Sequence, residues 1–324
     1  MRPAALLTTN VVGGLGNQLF LIANLIATSR RNGIPAFVVP SAFSSSAEAP
    51  RPTYWSSMFR GLDQHGVQLA PALDATAAAL PLVDVPEVRP VRKLQLAAHR
   101  ACVYNMIGFF QCEQFFDDHP VLHSVIPADL WRAAEDHLRR HYRSDGCHTV
   151  AVHVRRGDYA RFRDVFEQLE VDYYDAAVRQ LLGGLLYRQQ HQEPSKGLAA
   201  PFPSLQLLFF SDDTRVAQTM AGYFRVKYKG LRASVVSPEL EEGGSGEGVA
   251  CSSPSSPPLM PREVLEMLMM ARCNDVVMAN STFSWWGAYL NRVPLHRVTA
   301  PSKWFVKDPY PASNHLYCPG WMLL

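Results

Sequence analysis

The segment HVRRGDY at residues 153–159 brings together side chains that suit chemistry on a phosphate ester. Arg155 and Arg156 carry planar guanidinium groups, which bind phosphate oxygens through paired hydrogen bonds. Asp158 carries a carboxylate, which can take a proton from an attacking hydroxyl. Because such a turn also occurs as a salt-bridged surface turn, it predicts a phosphate site only when other groups support it.

Two further polar clusters follow apolar runs in the second half of the chain. The first is Asp212 with Asp213, which follow the run 205–210 after Ser211. The second follows residues 276–279 and comprises Asn280, Ser281, Thr282, Phe283 and Ser284. The carboxyl ends of parallel strands lie at one edge of a sheet, where open α/β folds bind their ligands. We therefore expect both clusters to meet the segment 153–159 in space.

The residue types in these clusters are those that a nucleoside diphosphate needs. Hydroxyls and backbone N–H groups at the start of a helix bind anions. The carboxylate of Asp212 or Asp213 can accept hydrogen bonds from the N1–H and amino groups of guanine. Two other interpretations stay open, because paired aspartates also cap helices and Asn280-Ser-Thr is also a sequon for N-glycosylation.

The elements that must position these residues alternate along the second half of the chain. Strands are predicted at 149–154, 205–210 and 276–279, and helices at 172–187 and 262–273. The strands are continuous apolar runs, which is typical of parallel strands that are covered on both faces. Strands that alternate with helices predict an α/β fold with a parallel sheet.

A glycine-rich segment, GGLGNQLF at 13–20, lies between a predicted strand and a predicted helix. It departs from a dinucleotide-binding fingerprint, because position 19 is leucine and no acidic residue follows near 36–40. A nicotinamide-dependent oxidoreductase is therefore disfavoured. The segment instead predicts backbone and side-chain contact with a diphosphate, through Gly14, Gly16, Asn17 and Gln18.

The chain has 324 residues, which is long enough for two domains. A polar stretch around residue 146 predicts the boundary, with an N-terminal α/β domain at 1–146 and a C-terminal α/β domain at 147–324. Residues 237–261 are rich in Ser, Gly and Pro and have no periodicity. This composition predicts a flexible surface insertion.

The formal net charge of +2 argues against a nucleic acid as the partner. The apolar run at 19–27 is shorter than the roughly 20 residues of a membrane span, and no secretory signal is recognisable. These features predict a soluble chain without a signal-anchor, and they leave peripheral membrane association open. Because no acidic residue precedes Glu48, the start also fits an organelle transit segment, so a mitochondrial location stands beside a Golgi or cytoplasmic one.

Taken together, the motifs resemble one known family. They are, in chain order, GGLGNQLF at 13–20, GFFQCEQFF at 108–116, HVRRGDY at 153–159, FFSDD at 209–213, ANSTFSWWGAYLN at 279–291 and PSKWF at 301–305. Over nearly the whole chain they resemble the inverting α-1,2-fucosyltransferases of glycosyltransferase family 11. The HVRRGDY and ANSTFSWWGAYLN segments together make the resemblance specific.

The resemblance implies a GT-B-like fold, in which two Rossmann-like domains face each other across the active site. It places the acceptor with residues 1–146 and the donor, GDP-L-fucose, with residues 147–324. It implies transfer of L-fucose to the 2-OH of a terminal β-galactoside, with inversion and without a metal or another cofactor. The absence of an Asp-x-Asp triplet agrees with the last point.

The resemblance also implies roles for individual residues. By position, Arg155 holds the β-phosphate and His153 contacts the nucleoside. Ser284 is expected to contact a phosphate, and Asn17 is expected near the donor phosphate. An acid after the second strand, Asp212 or Asp213, is expected to bind the guanine.

Asp158 is the candidate base for the acceptor hydroxyl, because inversion needs a single displacement with a proton acceptor. Two other roles stay open for Asp158, namely holding Arg156 and capping the turn. Two other functions also stay open. One is another GDP-sugar transferase, such as a protein O-fucosyltransferase-like enzyme, and the other is a non-catalytic carbohydrate-binding protein.

Overall fold

The computed structural model describes residues 5–44, 50–70, 78–89, 91–116, 122–144, 146–191, 204–236, 260–307 and 316–324. The chain divides into two compact units. Unit 1 comprises Met1–Arg132 with Asn314–Pro319, and unit 2 comprises Ala133–Ser313 with Gly320–Leu324. Most of the insertion predicted at 237–261 lies outside the described residues.

Unit 1 opens with a strand, a turn and a long helix. Strand β1 is Leu6–Thr9, and helix α1, Leu15–Asn32, presents buried side chains along most of its length. The helix ends because Gly33 adopts a left-handed conformation (φ 63°) and its N–H bonds the carbonyl of Ser29, a conformation that glycine adopts without a steric penalty.

Five parallel strands form the sheet of unit 1. After β1, they are β2 Ala36–Val38, β5 Val67–Leu69, β6 Leu82–Pro86 and β7 Val103–Ile107. The order across the sheet is β5-β2-β1-β7-β6, and the short strands β3 Phe43–Ser44 and β4 Arg51–Pro52 pair separately and antiparallel. Neither β5 nor β6 is predicted from the sequence, since β5 is very short and β6 is an edge strand with mostly exposed side chains.

Two helices connect the units along the chain, α2 Leu122–Val125 and α3 Ala128–His141. The compact units divide inside α3, between Arg132 and Ala133, whereas the composition indicates a boundary at 146. The second half of α3 belongs to unit 2 because Glu135 forms ion pairs with Arg143 and Arg272.

Six parallel strands form the sheet of unit 2. They are β8 His148–Val154, β9 Leu205–Ser211, β10 Arg232–Val235, β11 Asp275–Val277, β12 Arg297–Ala300 and β13 Met322–Leu323. The order is β10-β9-β8-β11-β12-β13. In β8 and β9 nearly every side chain is buried, which is why these strands read as continuous apolar runs.

Four helices flank this sheet, α4 Val171–His191, α5 Thr214–Lys227, α6 Arg262–Met270 and α7 Thr282–Tyr289. The predicted α/β class with parallel sheets is confirmed in each unit. Helix α6 ends at Met270 and not at 273, because the chain turns there to bond Asn274 N–H to Thr149 O in β8. Helix α4 extends to His191 and not only to 187, and the Ser281 hydroxyl caps the start of α7.

Candidate active site

Arg155 lies at the carboxyl edge of the unit 2 sheet, directly after β8. Its Nη2 donates to Oδ1 of Asp158 over 2.5 Å, and its Nη1 lies 2.8 Å from Oδ2 of Asp212. The guanidinium carbon lies 5.2 Å from the ring centroid of Tyr159, a cation–π distance. Two carboxylates and a ring thus fix the guanidinium from three sides.

The register of β8 and β9 explains why Asp212 reaches Arg155. Val154 is opposite Ser211 in this parallel pair, so the residues that follow the two strands emerge side by side. The third cluster also reaches this edge, since the Tyr159 hydroxyl donates to Asn280 O over 2.9 Å and the His153 ring lies 5.4 Å from that of Phe283. All three clusters predicted to converge therefore do so.

One donor of Arg155 remains unused. Its Nε is buried and has no hydrogen-bond partner among the described residues, and only 21% of the side chain is exposed. A buried N–H without an acceptor destabilises a protein by about 1–3 kcal/mol. An oxygen within hydrogen-bonding distance would satisfy this group while Arg155 keeps both aspartates.

Asp212 also organises the backbone of the turn. Its Oδ1 accepts a hydrogen bond from Arg156 N–H over 2.9 Å. A Cβ atom at Gly157 would collide with Asp212 Oδ2. The turn after β8 therefore requires glycine at 157, since no other residue lets the carboxylate approach the backbone so closely.

Arg156 does not join Arg155 through its side chain. Its guanidinium donates to both carboxylate oxygens of Glu170, over 3.2 and 3.1 Å, and to Leu169 O over 2.8 Å. In this structure it anchors the segment before α4, and only its backbone N–H contributes to the Arg155 network. The prediction that Arg156 is a second phosphate ligand has no support in this geometry.

His153 is the last inward-facing polar residue of β8 and is 4% exposed. Burial lowers its pKa to about 3, and the positive charge of Arg155 acts in the same direction. The imidazole is therefore neutral near pH 7, and it can offer hydrogen bonds but no charge. Its ring centroid lies 5.4 Å from that of Phe283, and its buried Nδ1 has no hydrogen-bond partner within the part of the chain that the structure describes.

Asn280 acts as an internal brace. It is 2% exposed, and its Nδ2 donates to Glu167 O over 2.9 Å and to Trp304 O over 2.8 Å. Its own carbonyl accepts a hydrogen bond from the Tyr159 hydroxyl over 2.9 Å. A buried amide with both N–H groups engaged is not an acceptor for glycosylation, so the sequon interpretation is wrong. Both N–H groups of this side chain are therefore unavailable to a bound sugar nucleotide.

At the start of α7, two serine hydroxyls form hydrogen bonds with backbone groups of the protein. The Ser281 hydroxyl caps the helix and accepts Phe283 N–H over 3.3 Å. Ser284 is fully buried, and its hydroxyl lies 3.3 Å from both Ala279 O and Ser281 O. The structure therefore contradicts a phosphate contact through Ser284 Oγ. Only Thr282 and Phe283 are partly exposed in this cluster, at a helix start whose first N–H groups have no intrahelical acceptor.

The two adjacent aspartates after β9 have different roles. Asp213 caps α5, because its Oδ1 accepts Arg215 N–H over 3.0 Å and Val216 N–H over 3.1 Å. The helix-cap interpretation is thus confirmed for Asp213, whereas Asp212 holds Arg155. Binding of guanine by either aspartate stays a prediction.

A buried acid that the sequence analysis does not identify lies in α6. Glu266 is 8% exposed, and its Oε1 accepts a hydrogen bond from Arg262 Nε over 2.5 Å. Burial raises the pKa of its carboxyl, and the nearby charge of Asp212 adds to this. The sequence signal is an acidic residue among the apolar residues of the segment VLEMLMM.

In unit 1, the predicted glycine loop is largely a helix. Helix α1 begins at Leu15. Of the four residues predicted to contact the diphosphate, Gly16, Asn17 and Gln18 therefore lie in its first turn, and Gly14 precedes it. Gln18 is fully buried, and its Nε2 donates to Gly13 O over 2.9 Å and to Pro52 O over 2.8 Å. The prediction that the Gln18 side chain donates to a diphosphate is therefore wrong, because both of its N–H groups brace the turn.

Asn17 links two motifs of unit 1. Its Oδ1 accepts a hydrogen bond over 3.0 Å from Gln111, which belongs to the segment GFFQCEQFF. Gly13 is left-handed (φ 78°), and a Cβ there would lie 2.5 Å from Asn17 Nδ2. The start of α1 remains able to offer backbone N–H groups to an anion.

Comparisons with known proteins agree with the resemblance. Residues 262–324 match the family model described as Glycosyl transferase family 11. The O-antigen biosynthesis glycosyltransferase WbnK of Escherichia coli is 25% identical over 218 residues, which cover 62% of this chain and 55% of that protein. An alpha-1,2-colitosyltransferase of Escherichia coli is 26% identical over 209 residues, which cover 63% and 57%. The chain thus spans little more than half the length of the curated relatives it matches.

A solved structure, POFUT1 in complex with GDP, matches with a TM-score of 0.52 at 10% identity, over 93% of this chain and 98% of that chain. A likeness at this identity concerns the fold alone, and it confirms the predicted α/β, GT-B-like class. The predicted cleft between the two domains stays a prediction. Within the described ranges, no helix combines the length and apolar character that a bilayer crossing requires.

Proposed function

We propose, starting from the similarity to glycosyltransferase family 11, that this chain is a fucosyltransferase. It moves L-fucose from GDP-L-fucose to the 2-OH of a terminal β-galactoside, with inversion and without a metal or cofactor. The GDP moiety binds to unit 2, and the acceptor binds on the side of unit 1. The match of α6 and α7 to the family model supports the reaction class.

The observation that carries this proposal is the buried, unused Nε–H of Arg155 at the carboxyl edge of β8. A diphosphate oxygen placed there would complete the hydrogen bonding of a guanidinium that two carboxylates already hold. When the bond between the sugar and the phosphate breaks, negative charge develops on the diphosphate. A fixed donor of this kind stabilises that charge without reorganising during the reaction.

The nucleoside has four candidate partners in unit 2. His153 offers a neutral imidazole with an unused Nδ1. Because Asp213 caps α5 and Asp212 holds Arg155, we add Glu266 to these two aspartates as a candidate for the guanine N1–H and amino groups. The buried carboxyl group of Glu266 already accepts a hydrogen bond from Arg262, and the positive charge of that arginine favours the ionised form that guanine binding requires.

The proton acceptor for the sugar hydroxyl is proposed to be Asp158. Its carboxylate lies in the same network as Arg155, at the carboxyl edge where ligands of α/β sheets bind. In this structure it pairs with Arg155 and not with Arg156. A base there would act on the acceptor while Arg155 stabilises the leaving diphosphate.

The second candidate differs in the donor sugar, because one relative is named an alpha-1,2-colitosyltransferase. The test is incubation of the purified chain with GDP-L-fucose or GDP-colitose and a panel of β-galactosides, with the product linkage assigned by NMR. We expect an α-1,2-linked fucoside, and the rate should stay the same after a chelator is added. Calorimetry with GDP covers the remaining alternative, because a non-catalytic carbohydrate-binding protein would neither bind GDP nor form a product.

A further inference from the structure

A basic site lies in unit 2, at the sheet edge opposite to the one that carries Arg155. A cavity of about 410 Å³ opens at the amino ends of the strands. Cys147 directly precedes β8, Asn274 directly precedes β11, and the loop Arg292–Pro294 leads into β12. Since β8, β11 and β12 are parallel, this edge is separated from the proposed donor site by the length of the sheet.

Three arginines and one glutamate line the cavity, which gives it an excess of two positive charges. Arg143 donates from Nη1 to Glu135 over 2.8 Å and from Nη2 to Arg272 O. Arg272 Nε lies 3.8 Å from the second oxygen of Glu135. These contacts hold Arg143 and Arg272 in place and use the only acid of the lining, so they preorganise two guanidinium groups side by side.

Arg292 supplies the third positive charge. It is exposed, and among the described residues it forms no ion pair. Guanidinium groups recognise phosphate through planar, charge-assisted hydrogen bonds. The volume of the cavity lies within the range of sites for small organic ligands, so it exceeds what an inorganic anion alone requires.

We propose that this cavity binds the phosphate group of an organic phosphate. The phosphate would contact Arg272 and Arg292, and the organic part would extend toward the loop at 292–296. The site is independent of the proposed transfer reaction, because none of its residues belongs to the network of Arg155. A soluble phosphomonoester and a lipid headgroup share this chemistry.

The adjacent Leu295 bears on the source of the phosphate. It is 80% exposed, and it adopts a left-handed conformation (φ 60°), which is unfavourable by roughly 1–2 kcal/mol for a residue with a Cβ. Exposed leucine held in strained backbone next to basic side chains suits a surface that meets lipid. In a lipid complex, Leu295 would enter the acyl region while the arginines hold the headgroup.

The probes are glycerol 3-phosphate, measured by calorimetry, and phosphatidylcholine vesicles with and without phosphatidic acid, measured by co-flotation. Arg292→Glu is expected to weaken binding of whichever probe the chain binds by about tenfold or more, as for a lost charge-assisted hydrogen bond. Arg292→Lys should restore part of this affinity. Arg100→Ala, at an exposed arginine of unit 1, is the matched control. Arg155→Ala should leave this binding intact.

Leu295→Asn separates the two sources, because asparagine tolerates the left-handed conformation. Loss of vesicle binding in this variant, with no change toward glycerol 3-phosphate, identifies a lipid headgroup. Binding of glycerol 3-phosphate that depends on Arg292 but not on Leu295 identifies a soluble phosphomonoester. The proposal is overturned if neither probe binds, or if binding is the same in Arg292→Glu and in Arg100→Ala.

Discussion

The carboxylate of Asp212 joins two parts of one turn, since it contacts the guanidinium of Arg155 over 2.8 Å and accepts the backbone N–H of Arg156 over 2.9 Å. The acid directly follows β9, whereas the turn follows β8. Asp212 is therefore a positioning residue, because it fixes both the side chain that is proposed to meet the diphosphate and the backbone that carries it.

Substitution of Asp212 should separate positioning from recognition of guanine. We expect Asp212→Asn to lower kcat on the order of 100-fold, as for a misplaced catalytic group, while GDP binding stays the same or tightens because a negative charge is removed. Steady-state kinetics and calorimetry with GDP measure the two effects. A large loss of GDP affinity would instead indicate that Asp212 binds the guanine ring.

Asp213 provides the matched control for this experiment. Because it caps α5, Asp213→Ala should lower the free energy of unfolding by about 1 kcal/mol with little change in kcat. Chemical denaturation of both variants gives the comparison. Equal losses of activity in the two variants would contradict the division of roles between the adjacent acids.

Gly157→Ala should disable the same network without changing any polar side chain. The added Cβ would collide with Asp212 Oδ2, so the carboxylate must leave Arg155 or the turn must shift. We expect kcat to fall as in Asp212→Asn, together with reduced stability. Gly222→Ala is the control, because a Cβ there meets nothing within 4 Å, and alanine in α5 should add about 0.5–1 kcal/mol of stability.

Arg155→Ala should lower turnover on the order of 100- to 1000-fold, the usual effect of losing one fixed donor to a developing charge. Arg155→Lys should recover little, because an ammonium group cannot reproduce the planar pair of bonds. Turnover is measured with GDP-fucose, and circular dichroism checks the fold. Arg225→Ala, at an exposed arginine of α5, should behave like the unmodified chain, and undiminished turnover in Arg155→Ala would refute the assignment.

Asp158→Asn tests the proposed base. Asparagine keeps an acceptor for Arg155 but cannot take a proton, so a base role predicts a loss of kcat between about 100- and 10000-fold in steady-state kinetics. Asp164→Asn, at an exposed acid in the loop that follows, should have no such effect. An Asp158→Asn variant that keeps most of its activity would leave Asp158 as a partner of Arg155 alone.

His153 should make the stability depend on pH. Its pKa is about 3 in the folded chain and about 6.5 when unfolded, so the unfolded state binds more protons between these values. The free energy of unfolding should therefore rise with pH, by at most about 1.4 kcal/mol per unit, and level off above about pH 6.5. Denaturation across this window should show a shallower slope of the free energy of unfolding against pH for His153→Gln than for the unmodified chain.

The sequence by itself determined much of the fold of unit 2. Residues of β8 and β9 are apolar in unbroken runs because both faces of the sheet are covered. The parallel order then brings the ends of these strands to one edge, which is why Arg155, Asp158 and Asp212 were predicted together. In unit 1, β6 has no such signal in the sequence, because an edge strand with exposed side chains lacks an apolar run.

Only the tertiary structure decided what each polar residue does. Arg155 and Arg156 are adjacent in sequence, yet successive side chains point to different neighbours, so one joins two aspartates and the other joins Glu170. Gln18 and Ser284 have the right residue types for a donor, but burial commits their hydrogen bonds to the protein backbone. Residue type determines which bonds a side chain can form, whereas the packing around it determines which bonds it has left for a ligand.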